Sequence, residues 1–175
     1  TQNTEIFGKV YFPRLVIPFS KLISSFIKFL IQFVLFFIFL IFYKINMNVI
    51  NPSIWILLTP FLLFLLSGLG LGFGLVFTSL TSKYRDLKFL MQFGVQLLMF
   101  STPIIYPLSS LKGNIFNIME LNPLTHILEA FKFSFLGQGS LNFAGLLYST
   151  IFMFFTVLFG IYVFNRTEKN FIDSI

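Results

Sequence analysis

Long apolar runs separated by short polar stretches organise this chain. Four runs, roughly 22–43, 54–80, 89–107 and 144–164, are each close to the ~20 helical residues needed to cross ~30 Å of hydrocarbon. Between the third and fourth runs the pattern changes. From Ile115 to Leu136 the apolar positions are interrupted by Glu120, Asn122, Pro123, His126, Glu129 and Lys132. A charge at the centre of a span costs about 2.5–3.5 kcal/mol on the insertion scale, so several such terms oppose a fifth crossing. The pattern predicts instead a pair of short helices over 108–143 that dips into the membrane without crossing it. Asn122 followed by Pro123 is a helix start, a cap and then a first-turn proline. From there Leu124, Ile127, Leu128, Phe131 and Phe135 form one apolar stripe at helical spacing. The predicted fold is all-α and polytopic, with four transmembrane helices plus a re-entrant helical segment before the last span.

Composition supports a membrane rather than a soluble core. Hydrophobic residues make up 57% of the chain and charged residues 10%, against roughly 25% charged in soluble domains. The net charge of +6 does not point to nucleic acid, because the cations sit between apolar runs instead of on one face. Lys9, Arg14, Lys83, Arg85, Lys88, Arg166 and Lys169 fall in the terminal segments and the 81–88 loop, and Lys44, Lys112 and Lys132 on the other side. The positive-inside rule then places both ends of the chain in the cytoplasm. Tyr43, Trp55, Tyr106 and Tyr148 near the outer span ends, and Tyr11, Tyr84 and Tyr162 near the inner ones, agree with interfacial aromatic belts. The chain has no cysteine, which removes disulfides and thiol-bound metals. It opens at Thr1 in a polar stretch, and the expectation is a C-terminal portion of a longer chain.

Chemistry is sparse. All six acids (Glu5, Asp86, Glu120, Glu129, Glu168 and Asp173) lie outside the four span centres, where ion-coupled transporters and intramembrane enzymes place ionisable groups. No His pair has ligand spacing, and no lysine is followed by Ser or Thr as a phosphate-binding loop requires. No metal or cofactor is therefore expected on this chain, and the energy for any active transport must come from another polypeptide. His126, the single histidine, reads as an interfacial polar residue or a ligand contact.

Lys21, Ser25, Lys28 and Gln32 recur at steps of four, three and four, forming one polar stripe on the first span. Anchoring with interhelical hydrogen bonding is one reading; the wall of a hydrated conduit, with Lys28 and Gln32 deepest, is the other. In the second span Gly68, Gly70, Gly72 and Gly74 make two interleaved small-residue pairs on nearly opposite faces, as in a helix held between two neighbours. Pro60 is expected to kink that helix. The 28 phenylalanines read mostly as lipid-facing or core filler, although aromatic faces also stack on sugar rings.

The charged cluster Lys83, Arg85, Asp86 and Lys88 opens the stretch SKYRDLKFLMQFGVQLLMFSTPIIYP, which ends at Pro107. That stretch resembles a cytoplasmic loop and the fifth span of the permease subunits of type-2 ABC polysaccharide exporters, which move O-antigen, capsular polysaccharide or teichoic acid. GKVYFPRLVIP (8–18) resembles the cytoplasmic segment of these permeases that meets the ATPase. LNPLTHILEAFK (121–132) is similar to their extracytoplasmic N-P segment and gate helix, and FNRTEKNFIDSI (164–175) to their tail, with Arg166, Glu168, Phe171 and Asp173 at the matching places. The departure is at the N-terminus, where the interfacial helix and first two spans of the family are not found. The resemblance thus implies that residues 1–175 form a single permease domain, the C-terminal four spans of six.

It also implies a homodimeric, multi-pass permease of the bacterial inner membrane exporting a lipid-linked polysaccharide. ATP and Mg would be bound by a separate ABC ATPase subunit, present in two copies. Phe7, Tyr11 and Arg14 are the expected ATPase contacts, and Lys83, Arg85 and Asp86 the cytoplasmic loop. Lys28 and Gln32 are conduit candidates, and Pro103, Tyr106, Pro107, Asn122, Pro123 and Glu129 candidates for an outer gate. A type-2 ABC permease for a drug or lipid is the alternative within the class. A polytopic membrane enzyme acting on lipid-linked sugars is the alternative outside it, with Glu120 and Glu129 as its outer carboxylates.

Overall fold

The computed structural model describes residues 16–47, 52–83, 86–104, 106–111 and 113–172. These form six α-helices: α1 (Val16–Met47), α2 (Thr59–Lys83), α3 (Leu87–Phe100), α4 (Asn114–Glu120), α5 (Pro123–Leu136) and α6 (Phe143–Ile172). Two 3₁₀ turns, Ile54–Leu58 and Leu108–Ser110, join them, and no strand occurs among the described residues.

Three segments are long and apolar enough to cross a membrane: Ser20–Asn46, Ile54–Thr81 and Phe143–Thr167. They contain the expected runs 22–43, 54–80 and 144–164. The expected run 89–107 turns out differently. Its helix stops at Phe100 after 14 residues, about 21 Å at 1.5 Å per residue, short of the ~30 Å of hydrocarbon. The cause is local. Ser101 and Thr102 turn their hydroxyls back onto the Leu98 carbonyl, and Pro103 has no N–H to continue the ladder. The apolar sequence runs on while the helix does not.

Pro60 also departs from expectation. It is the second residue of α2, following the Ile54–Leu58 turn, so its missing N–H falls in the first turn where no intrahelical bond is lost. The proline starts the helix rather than kinking it.

Helices α2 and α6 make the closest pairing. Trp55, just ahead of α2, and Phe143, the first residue of α6, stack edge-on at 5.6 Å. Further along, Gly68 faces Met153, and Gly72 faces Thr156 and Gly160. Partner numbers rise together, so the two helices run parallel. A Cβ on Gly72 would lie 2.8 Å from the Thr156 carbonyl carbon, and one on Gly160 would lie 2.7 Å from the Gly72 carbonyl oxygen. Only glycine allows that backbone-to-backbone approach.

The short helix α5 wedges against the beginnings of both. Leu62, Leu65 and Leu69 of α2, Ile127 and Ala130 of α5, and Leu146 and Met153 of α6 form the buried core. The Ser53 amide donates to the Ser134 carbonyl (3.0 Å), pinning the entry to α2 onto α5. On the other flank Phe33, Phe36 and Phe37 of α1 meet Phe131 and Phe135 of α5, with Phe36 and Phe135 edge-on at 5.4 Å.

Candidate functional site

The segment from Ser101 to Asn142 gathers the polar chemistry of the described chain at one end of the helices. Asn122 sits at its centre. Its Oδ1 accepts from the Leu124 amide (3.0 Å), capping α5, while its Nδ2 donates to the Ser101 carbonyl (3.2 Å) at the end of α3. One side chain thereby starts one helix and holds the end of another. Pro123 occupies the first turn and is buried, and its carbonyl accepts from Ser149 Oγ of α6 (2.8 Å). Tyr148 OH donates to the Leu121 carbonyl (2.9 Å), so α6 grips both sides of the N-P pair.

Glu129 is two turns further along α5 and only 5% exposed. A carboxylate so buried needs a cationic partner. Lys132, at i+3, supplies it at 3.4 Å, and the same ammonium donates to the Pro103 carbonyl. Gly139 closes over the pair from the following loop at φ +98°, and a Cβ there would come within 2.9 Å of Glu129 Oε2. Tyr106 OH donates to the Phe100 carbonyl (3.0 Å), bracing the turn after α3. The Thr125 hydroxyl donates to the Met119 carbonyl (2.7 Å), joining α4 to α5.

Of the outer-gate candidates, Pro103, Tyr106, Asn122, Pro123 and Glu129 are thus brought together, whereas Pro107 is exposed on the adjoining turn. Lys132, Tyr148 and Ser149 complete the constellation, and sequence reasoning did not select them. The i,i+3 spacing of Glu129 and Lys132 was the available signal for the first. Sequence marks Tyr148 only as an interfacial aromatic and Ser149 not at all, and they act across 27 and 26 positions. His126 packs its ring against Gly145, where a side chain would collide with it, and meets Tyr148 edge-on at 6.1 Å.

The remaining candidates lie elsewhere. Lys28 and Gln32 are exposed on α1. They are absent from the lining of a groove of about 670 Å³ beside α2, which takes Lys21 and Ser25 from the same stripe. Gly68 and Gly72 face α6, while Gly70 and Gly74 point away from it into that groove. Asp86 precedes α3 as an exposed residue without a side-chain capping bond. Lys83 ends α2, and its side chain, like Arg85, lies outside the described residues; so do Phe7, Tyr11 and Arg14. Among the described residues no three His, Asp or Glu side chains converge.

Every element that builds this constellation except α6 and the loop carrying Gly139 falls within residues 9–136, and that interval matches the family description ABC-2 type transporter. The chain belongs to the ABC-2 type transporter family. This is a family of transporter membrane components rather than enzymes, and the apolar helices agree with a multi-pass membrane protein. Two proteins of Klebsiella pneumoniae, each named O-antigen export system permease protein RfbA, are similar along almost the whole chain. One is 26% identical over 174 residues and the other 27% over 176, covering 99% of this chain in both cases. The chain spans 65% of the length of these relatives.

Proposed function

We infer that this ABC-2 family member is the membrane-spanning permease of an ATP-driven exporter, translocating a lipid-linked polysaccharide across the bacterial inner membrane. The family match across 9–136 carries the transporter reading, and the similarity to two proteins named for O-antigen export favours a glycan cargo. The partners in this reading are an ABC ATPase that binds the ATP and Mg, and a second copy of the permease.

The parallel course of α2 and α6 supports the finer topology. A chain leaving the far end of α2 must return to the near end before α6 begins. In this reading α3 makes that crossing, extended by the non-helical residues after Phe100, and 108–143 stays on the outer side. Four crossings then leave both ends of the chain in the cytoplasm. Single cysteines at Gln138 and Ser140 are expected to react with an impermeant thiol reagent added from outside, and one at Ser82 to be protected. Protection at position 140 together with labelling at 82 would reverse the orientation.

Mechanically, α3 has no buried residue, yet the chain at its end is fastened to α5 through Ser101 and Pro103. Force delivered by the ATPase to the 4–14 segment and to the junction of α2 and α3 around Asp86 would tilt α3 and pull on α5 at the outer exit. Phe7, Tyr11 and Arg14 are the proposed contacts for that force. The deciding experiment deletes the full-length gene from its host. Polymer should vanish from the cell surface while its lipid-linked form accumulates inside, and the intact gene should restore export. Normal surface glycan in the deletion strain would exclude the cargo.

A further inference from the structure

The open face of α2 borders a groove with an uneven chemical character. Its main part, about 670 Å³, lies between α1 and α2 and reaches Phe164 of α6. A second stretch of about 610 Å³ continues it towards Phe37 and Pro60, and Phe26, Leu63 and Ser67 line both. The mouth is at one membrane face. Lys21 is the second residue of the Ser20–Asn46 span, while Thr78 and Phe164 lie near the ends of Ile54–Thr81 and Phe143–Thr167.

That mouth is cationic, and no acidic residue lines the groove. Among the described residues the one ion pair, Lys132 with Glu129, is in the constellation around α5. Two of the groove's hydroxyls are already satisfied by carbonyls of their own helix. Ser67 Oγ donates to the Phe64 carbonyl (2.9 Å) and Thr78 Oγ1 to the Gly74 carbonyl (2.7 Å). Otherwise the walls are hydrocarbon and aromatic, and Gly70 and Gly74 leave open space where side chains would project.

Negative charge at one end and hydrocarbon along the rest would complement this lining. A transmembrane helix matches that pattern only with a carboxylate beside Lys21. A zwitterionic headgroup brings its own cation to compete with it. We propose that the groove binds an anionic glycerophospholipid, with its phosphate on Lys21 and one acyl chain laid along Gly74, Gly70 and Ser67. The length fits, since Thr78 to Leu63 is about 22 Å of helix, more than the ~15 Å depth of one leaflet. Lys21 would reach the phosphate by extending its stem to the interface, as long cationic side chains do at span ends. The site is independent of what the transporter carries.

The test is native mass spectrometry on full-length permease, purified from nanodiscs of equal phosphatidylglycerol and phosphatidylethanolamine. Wild-type protein should retain phosphatidylglycerol in at least fivefold preference. Lys21→Ala should abolish that preference, and Gly70→Leu should lower retention by filling the groove. Lys28→Ala, on the same stripe but outside the groove, should retain the lipid as wild type does. Unchanged melting temperatures would show that the variants remain folded. Equal retention in Lys21→Ala and wild type would overturn the proposal. So would a photo-crosslinker at position 70 that captures protein or a lipid-linked glycan instead of phospholipid.

Discussion

Helices α2 and α3 are similar in composition yet held in opposite ways. Along α2 one face is packed to the limit, with Leu62, Leu65 and Leu69 buried and Gly72 in backbone contact with α6. Along α3 no residue is buried, and Phe89, Leu90, Phe93 and Phe100 are all exposed. Hydrophobicity does not separate them, because in a bilayer lipid satisfies an apolar side chain as well as a neighbouring helix does. What separates them is small residues and polar ties. The helix α2 has glycines that admit a partner's backbone, and α3 is fastened only at its end by hydrogen bonds. A closely packed α2–α5–α6 block therefore lies beside an α3 held mainly at its end.

The comparison breaks most visibly at Gly72. Leucine there has no room, because its Cβ meets the main chain of Thr156 and Val157, which cannot turn aside as a side chain would. The helices must separate, and overpacking of this kind costs about 3 kcal/mol. Gly70→Leu, two residues away on the open face, has nothing within 4 Å and should cost little. Melting of the detergent-solubilised protein checks the pair: Gly72→Leu should fall sharply and Gly70→Leu should stay near wild type. Equal melting would mean that the two faces do not differ as described.

The second test acts on the tie between α3 and the block. Lys132→Met removes the partner of Glu129, whose side chain is 7% exposed, and frees the Pro103 carbonyl. Stranding the carboxylate should cost about 2 kcal/mol, below the full range for buried pairs because the Lys132 side chain is 23% exposed. Adding Glu129→Gln should recover part of the stability but not the link to α3. If export recovers together with stability in the double variant, the tie to α3 carries no force.

The long helices were legible because crossing a bilayer demands one sustained signal, and the start of α5 was legible because Asn122-Pro123 is both cap and first turn. One helix end and the role of one proline were misread for one reason. Hydropathy reports where side chains are content, whereas a helix ends where its backbone ladder ends. At Ser101-Thr102-Pro103 the apolar run outlasts the helix, and at Pro60 the run precedes it. The glycine spacing indicated two usable faces on α2 but not which neighbour each would meet, since α6 lies far along the chain. The constellation around α5 was legible residue by residue at Pro103, Tyr106, Asn122, Pro123 and Glu129. Its closure by Tyr148 and Ser149 depends on a fold that brings distant positions together.

The smallest structural effect is expected at Lys28, and there stability and function should part company. It is exposed on α1, two turns along from Lys21 and about 12 Å in from the start of the Ser20–Asn46 span. No described carboxylate pairs with it, since the one described ion pair is on α5. Lipid is a poor environment for an ammonium at that depth, so either the side chain bends back to the interface or a hydrated surface faces it in the assembled transporter. In the second case the cation can attract the pyrophosphate of a lipid-linked glycan, and Gln32, one turn on, can hydrogen-bond its sugar hydroxyls. Lys28→Ala should then leave melting within the ~0.5 kcal/mol typical of surface changes while surface polymer falls several-fold. Lys28→Arg, which keeps the charge, should be milder. Wild-type export by Lys28→Ala at normal protein level would show that the lysine only reaches back to the interface, and would take it out of the conduit.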